Sequence, residues 1–247
     1  IDRIGKVFDI SAVSFPANPT TELHVRDYFN GVIEAEKAAE AERLQAEEER
    51  RRDLAKREEL KKKIDHSADF MDAIVVSGGE PLVQVDDVIR IFEYTRELGL
   101  KTKLDTSGVY PDRLEKVLSM GLVDYVAIDV KAPFEKYNEV IHSDIGQKVK
   151  KSMEIVNKHP EVILECRTTY CPAILDKEDL FTIVDEVNCD IYTIQQFRNR
   201  SVLDDALIES EEPNPHDMEE IARAIKEKHP NQTINLKTAE FGQKVFE

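Results

Sequence analysis

The chain has 247 residues, enough for one large domain or two small ones around a hydrophobic core. Hydrophobic residues make up 41% of it and charged residues 34%, and 50 Asp and Glu against 34 Lys and Arg give a formal net charge of −16. That excess repels polyanions, so nucleic acid and anionic membranes are excluded as whole-surface partners; no apolar run approaches the roughly 20 residues of a membrane span, and no signal peptide is expected.

Taken in chain order, residues 1–30 predict a short β element and a turn. Ile4, Val7, Phe8, Ile10, Val13 and Phe15 are β-formers, and Pro16-Ala17-Asn18-Pro19 is expected to stop a strand or helix. Residues 31–64 predict a long charged helix or linker. From Glu34 to Lys63 ten acidic and ten basic residues cancel among Ala, Leu and Gln, all strong helix formers. Glu47–Arg51, Glu48–Arg52 and Glu58–Lys62 lie four apart with the acid first, the order that supports an exposed helix. Leu44, Leu54 and Leu60 keep no heptad, so the segment reads as a solvated rod, with a weak coiled-coil partner surface as the alternative.

Residues 65–247 carry nearly all the excess acid, 36 acidic against 21 basic residues. Here short β-rich runs alternate with amphipathic helical ones. Ala73–Val76 precedes a helix near Val85–Leu98, Thr102–Leu104 one near Pro111–Met120, and Tyr125–Ile128 one around Pro133–Val140. Val162–Cys166 leads to a helix near Lys177–Val187, and Ile191–Ile194 to a loop and a helix near Pro215–Lys228. The alternation predicts α/β architecture with a parallel sheet of about five strands buried on both faces.

Ligands bind at the C-terminal ends of strands in such arrays. There stand Ser77-Gly78-Gly79-Glu80-Pro81, Asp105-Thr106-Ser107-Gly108, Asp129-Val130-Lys131, Arg167-Thr168-Thr169-Tyr170 and Gln195-Gln196-Phe197. Each cluster alone has a bland reading: a Gly-Gly turn, a capping Asp, a surface Lys. Five at consecutive strand ends make a rim suited to a zwitterion, with Glu80 for an ammonium and Lys131 for a carboxylate. The glycines form neither a Walker loop nor a dinucleotide fingerprint.

Phe70 to Leu82, Leu104 to Gly108, Asp129-Val130-Lys131-Ala132-Pro133 and Gln195-Gln196-Phe197 together resemble the radical S-adenosylmethionine (SAM) family. The similarity spans about residues 66–247 and is nearest to the activating proteins of anaerobic ribonucleoside-triphosphate reductase. It implies a partial (β/α) barrel, SAM and a [4Fe–4S] cluster as cofactors, and anaerobic ribonucleotide reductase as the partner that receives a glycyl radical. Gly78, Gly79, Glu80 and Pro81 match the motif that meets the SAM amino group, and Lys131 the lysine that meets its carboxylate. Asp105, Thr106 and Asp129 match positions that hold a monovalent cation near SAM.

The family's cluster motif, C-x-x-x-C-x-x-C ahead of the Gly-Gly-Glu-Pro turn, is missing. The three cysteines are Cys166, Cys171 and Cys189, with four and then seventeen residues between them, and read as core thiols in a reducing, cytoplasmic setting. No catalytic residue and no metal ligand is therefore expected in this chain, and the barrel is expected to lack its first βα unit. Phe8 to Pro19 resembles the end of a tailed-phage prohead maturation protease domain, after which a charged helix commonly follows. The expected layout is thus 1–30 protease-like, 31–64 helix, and 65–247 partial barrel, with Ile1 in place of Met suggesting a fragment. A fusion of two unrelated stretches joined near 60–70, a phage-head scaffold protein, and a generic βα-barrel enzyme using Glu80, Asp105, Asp129 and Lys131 as acid–base groups are the alternatives.

Overall fold

The computed structural model describes residues 19–200 and 205–246, with side chains over 31–200 and 206–246. The chain divides into two units, Ile1–Ser67 and Ala68–Glu247.

In the first unit, α1 runs over Pro19–Ser67, 49 residues. The expected β element at Ile4–Phe15 lies outside the described residues. The helix begins twelve residues before the expected 31, because proline at a helix's first position loses no hydrogen bond and has φ already set. Pro19 therefore starts the helix that it was expected to prevent. From residue 31 to 63 every side chain is exposed, including Val32, Ile33, Leu44, Leu54 and Leu60. Ion pairs Glu34–Lys37, Glu48–Arg52 and Glu59–Lys63 decorate it at 3.3, 2.7 and 2.7 Å.

The second unit is a seven-stranded sheet in the order β1 to β7, curled into a half-barrel. Its strands are β1 (Ala73–Val76), β2 (Lys101–Thr106), β3 (Tyr125–Asp129), β4 (Ile163–Tyr170), β5 (Ile191–Gln196), β6 (Thr233–Thr238) and β7 (Gly242–Phe246). The first six pair in parallel, and β7 returns antiparallel on β6. Between them come α2 (Val85–Glu97), α3 (Pro111–Ser119), α4 (Tyr137–Ile141), α5 (Gly146–Val156), α6 (Lys177–Glu186) and α7 (Pro215–Lys228). Strands that add in sequence order through right-handed crossovers put their helices on one face, the convex one.

Helical periodicity supplies the apolar stripes that cover that face: Val88, Ile89 and Phe92 on α2, Met218, Ile221 and Ile225 on α7. They pack on the convex side chains of the strands, such as Leu104, Ile128, Leu164, Tyr192 and Ile194. The helix starts are locally encoded. Asp176 and Asp179 exchange backbone hydrogen bonds as a capping box before α6, and Asn214 caps α7 with Pro215 at its first turn.

Three elements depart from expectation. The single helix around Pro133–Val140 is a 3-10 turn (Phe134–Lys136) followed by the short α4, and α5 adds a helix of eleven residues. β6 and β7 extend the expected five strands to seven. The strands are also not apolar on both faces, because the concave face carries charged side chains that alternate with the buried ones. At the other edge β1 pairs only with β2 among the described residues, and Val75 there is 51% exposed.

Candidate functional site

The strand period of two decides which side chains enter the concave face. On β2, Thr102, Leu104 and Thr106 point to the helices, leaving Lys103 and Asp105 to the hollow; on β4, Glu165 and Arg167 do the same. The parallel register sets Asp105 beside Ala127, and Asp129 beside Arg167. The sheet thereby delivers two carboxylates to one guanidinium. Arg167 Nη1 donates to Asp105 Oδ2 at 2.7 Å, and its Nε and Nη2 lie 2.9 and 2.8 Å from Asp129 Oδ1. Burial, the largest influence, pulls the Arg167 pKa down, but Asp129 and Asp105 outweigh it and the net shift is upward. This is a charge-assisted fork held at the C-terminal rim.

Gly78 to Pro81 form the turn after β1. Gly78 has φ of +131°, a conformation that side chains rarely adopt, and open space surrounds the position a Cβ would take at Gly78 or Gly79. The backbone there can be approached closely. Pro81 opens a 3-10 turn, Pro81–Gln84, capped by Glu80. The Glu80 carboxylate differs from its expected role as an open partner for an ammonium. It already accepts from Leu82 N–H (3.1 Å), Thr106 Oγ (2.8 Å), Ser107 N–H (2.8 Å) and Ser107 Oγ. It therefore bolts the glycine turn to the end of β2, and Thr106 is spent on the same bolt. Gly108 completes that loop with φ of +75°, and an added Cβ there would stand 3.1 Å from Ile128 Cγ2.

Lys131 is exposed, and its backbone N–H donates to Tyr137 Oη at 3.0 Å, which fixes the loop after β3. With Asp129, Arg167 and Thr169 it lines a cavity of about 200 Å³ whose other walls are apolar, among them Val140, Ile141 and Phe197. A second concavity runs along the glycine turn and α2, lined by Ser77, Gly79, Glu80, Pro81, Val83 and Ile91. Of the eight expected site residues, Glu80 in the Gly78–Pro81 turn is joined to Thr106, Asp105 and Asp129 are joined through Arg167, and Lys131 lines a cavity with Asp129. Charges at i, i+2 within two strands mark Arg167, Lys103 and Glu165; Arg167 is legible as part of a strand-end cluster, whereas Lys103 and Glu165 stand within strand runs.

The rim fits a zwitterionic ligand with an apolar body: close backbone at Gly78–Gly79, a lysine at Lys131, and apolar walls beside it. The thiols do not fit an iron–sulfur cluster. Cys166 is in the middle of β4 on the helix-facing side and its Sγ lies 3.4 Å from Met153 Sδ. Cys171 follows the opposite end of that strand from Cys189, which precedes β5. A hydrogen bond with Cys189 and burial push the Cys166 thiol up, and burial does so for Cys171. Among the described residues no three His, Cys, Asp or Glu side chains converge as a metal site.

The sequence profile of the radical SAM superfamily matches residues 32–187 of the chain. Over 171 residues, 67% of this chain and 71% of the relative, the sequence is 39% identical to a Methanocaldococcus jannaschii protein named as a glycyl-radical enzyme activating enzyme. It is 34% identical over 67 residues, 27% of this chain and 26% of the relative, to the 7-carboxy-7-deazaguanine synthase of Thermococcus kodakarensis. A domain of pyruvate-formate lyase-activating enzyme from Bacteroides vulgatus matches the fold with a TM-score of 0.53 at 13% identity, covering 67% of this chain and 98% of that one. Streptococcus suis SuiB matches at 0.53 and 13%, covering 73% and 42%.

Proposed function

Because the chain belongs to the radical SAM superfamily, we propose that its rim is the SAM-binding face of an activating protein for a glycyl-radical enzyme. Anaerobic ribonucleotide reductase is the proposed target. The observation that carries this reading is the joint placement of an accessible glycine turn at Gly78–Gly79 and a lysine-lined cavity at Lys131 on one rim of a parallel half-barrel. The M. jannaschii relative's name supports the activase class.

In this reading the backbone carbonyls of the glycine turn accept from the ligand's ammonium. Glu80 holds that turn in place through Thr106 and Ser107 rather than touching the ligand itself. Lys131 meets the ligand's carboxylate, and Arg167 offsets part of the negative charge of Asp105 and Asp129 that would repel it. Val140, Ile141 and Phe197 exclude water from the apolar side of the cavity. When bound and reductively cleaved at an iron–sulfur cluster, SAM supplies the carbon radical that defines this superfamily. The cysteines of this chain do not build that cluster, so thiolates for it would come from outside this sequence.

Anaerobic reconstitution with iron and sulfide tests the second half of the proposal. The expected product is colourless protein with no visible absorbance from a cluster. Brown protein with stoichiometric iron would show that these cysteines do assemble a cluster and would overturn it.

A further inference from the structure

Below the rim the concave face holds a second ionic group that the proposed ligand contacts do not use. The Glu165 side chain is 4% exposed and accepts from Thr193 Oγ at 2.6 Å, Lys103 Nζ at 3.0 Å and Tyr125 Oη at 3.1 Å. Lys103 Nζ stands 4.2 Å from the centre of the Tyr125 ring and 3.8 Å from Asp105 Oδ1. That Asp105 oxygen is buried and makes no hydrogen bond among the described residues. The charges therefore alternate in one chain from floor to rim: Glu165, Lys103, Asp105, Arg167, Asp129.

Three carboxylates share two cations in this chain, so each cation is committed. Glu165 and Arg167 lie two residues apart on the same face of β4, about 6.6 Å along the strand, within reach of an arginine side chain. Without Lys103, Glu165 would be a buried carboxylate lacking a cation, and the cation best placed to satisfy it is Arg167. A guanidinium drawn to the floor would leave Asp105 and Asp129 unpaired at the rim.

We infer that Lys103 is a positioning residue: by satisfying Glu165 it keeps Arg167 at the rim, where the Asp105–Arg167–Asp129 fork shapes the ligand cavity. The inference rests on the rim being the SAM-binding face, and it goes beyond that reading by assigning a role to residues that touch no ligand.

The test is SAM titration by calorimetry of the full chain as wild type, Lys103→Met, Glu165→Gln and the double variant, with circular dichroism as a check on folding. Lys103→Met should weaken binding about tenfold, and the double variant should return to near wild-type affinity, since removing both partners leaves no buried unpaired charge. Glu165→Gln alone should bind like wild type, which keeps the test decisive if Lys103→Met does not fold. Unchanged affinity in Lys103→Met, a double variant as weak as the single, or lost binding in Glu165→Gln would each overturn the inference. If wild type itself fails to bind SAM, the functional reading falls, and the inference is then judged on the Arg167 Nε–H resonance of arginine-labelled protein. That signal should shift in Lys103→Met and return in the double variant; no shift overturns the inference.

Discussion

Glu165 is the residue on which the interior of the half-barrel turns. Burial, the largest influence on it, pushes its pKa up, yet Thr193, Lys103 and Tyr125 together hold it below the ordinary 4.5. A carboxyl with a depressed folded pKa adds stability that is complete above its unfolded value and disappears as pH falls through the folded one. Acid titration of unfolding midpoints should therefore show wild type losing stability below about pH 4.5 more steeply than Glu165→Gln; identical acid limbs would contradict the network. Nothing in the sequence run Val162-Ile163-Leu164-Glu165-Cys166 separates Glu165 from its apolar neighbours except the period of two. Asp105 and Asp129 were legible because strand ends are where ligands bind, but their common partner lies 62 and 38 residues away in sequence. Only the sheet register brings Arg167 to them.

At the scale of elements, the βα pattern placed all of the first five strands, and the α7 bounds Pro215–Lys228 agree with the pattern. Local chemistry explains that success, since the capping residues Asp176 and Asn214 mark starts and the apolar stripes mark faces. β6 and β7 lie beyond the last helix of the βα pattern: Thr233-Ile234-Asn235-Leu236-Lys237-Thr238 alternates polar and apolar residues but no helix follows it, and β7 is set by its pairing on β6. The long α1 is sustained locally instead. Glu47–Arg51, Glu48–Arg52, Asp53–Arg57, Glu58–Lys62 and Glu59–Lys63 are acid-first pairs four apart, the order that favours an exposed helix, and two of them close as ion pairs at 2.7 Å. Leu44, Leu54 and Leu60 are ten and then six residues apart, so they keep no three-four heptad spacing and give no continuous seam for a partner helix. A peptide of residues 31–63 should be helical and monomeric, with ellipticity that falls in 1 M salt and does not depend on concentration. Helicity that rises with concentration would show a coiled coil in its place.

Across the whole molecule, the acidic excess belongs to the barrel unit, while α1 is dense in charge but close to neutral. A sheet whose edge strands among the described residues are β1 and the antiparallel β7 leaves the hollow accessible along its rim. The rim carries a glycine turn, a lysine and an ionic fork, while Cys166 and Cys171 are buried, Cys189 is half-buried, and no three metal-ligating side chains come together among the described residues. On the proposed reading, ligand recognition and radical initiation are separable, and only the first draws on this chain's own residues. Equilibrium binding of SAM to the wild-type chain and to Lys131→Ala, both without iron or sulfide, tests that separation most directly. The account predicts saturable binding by wild type that weakens at least about tenfold in Lys131→Ala, the order of one lost charge-assisted contact; no binding by wild type, or equal affinity in the two proteins, would contradict it.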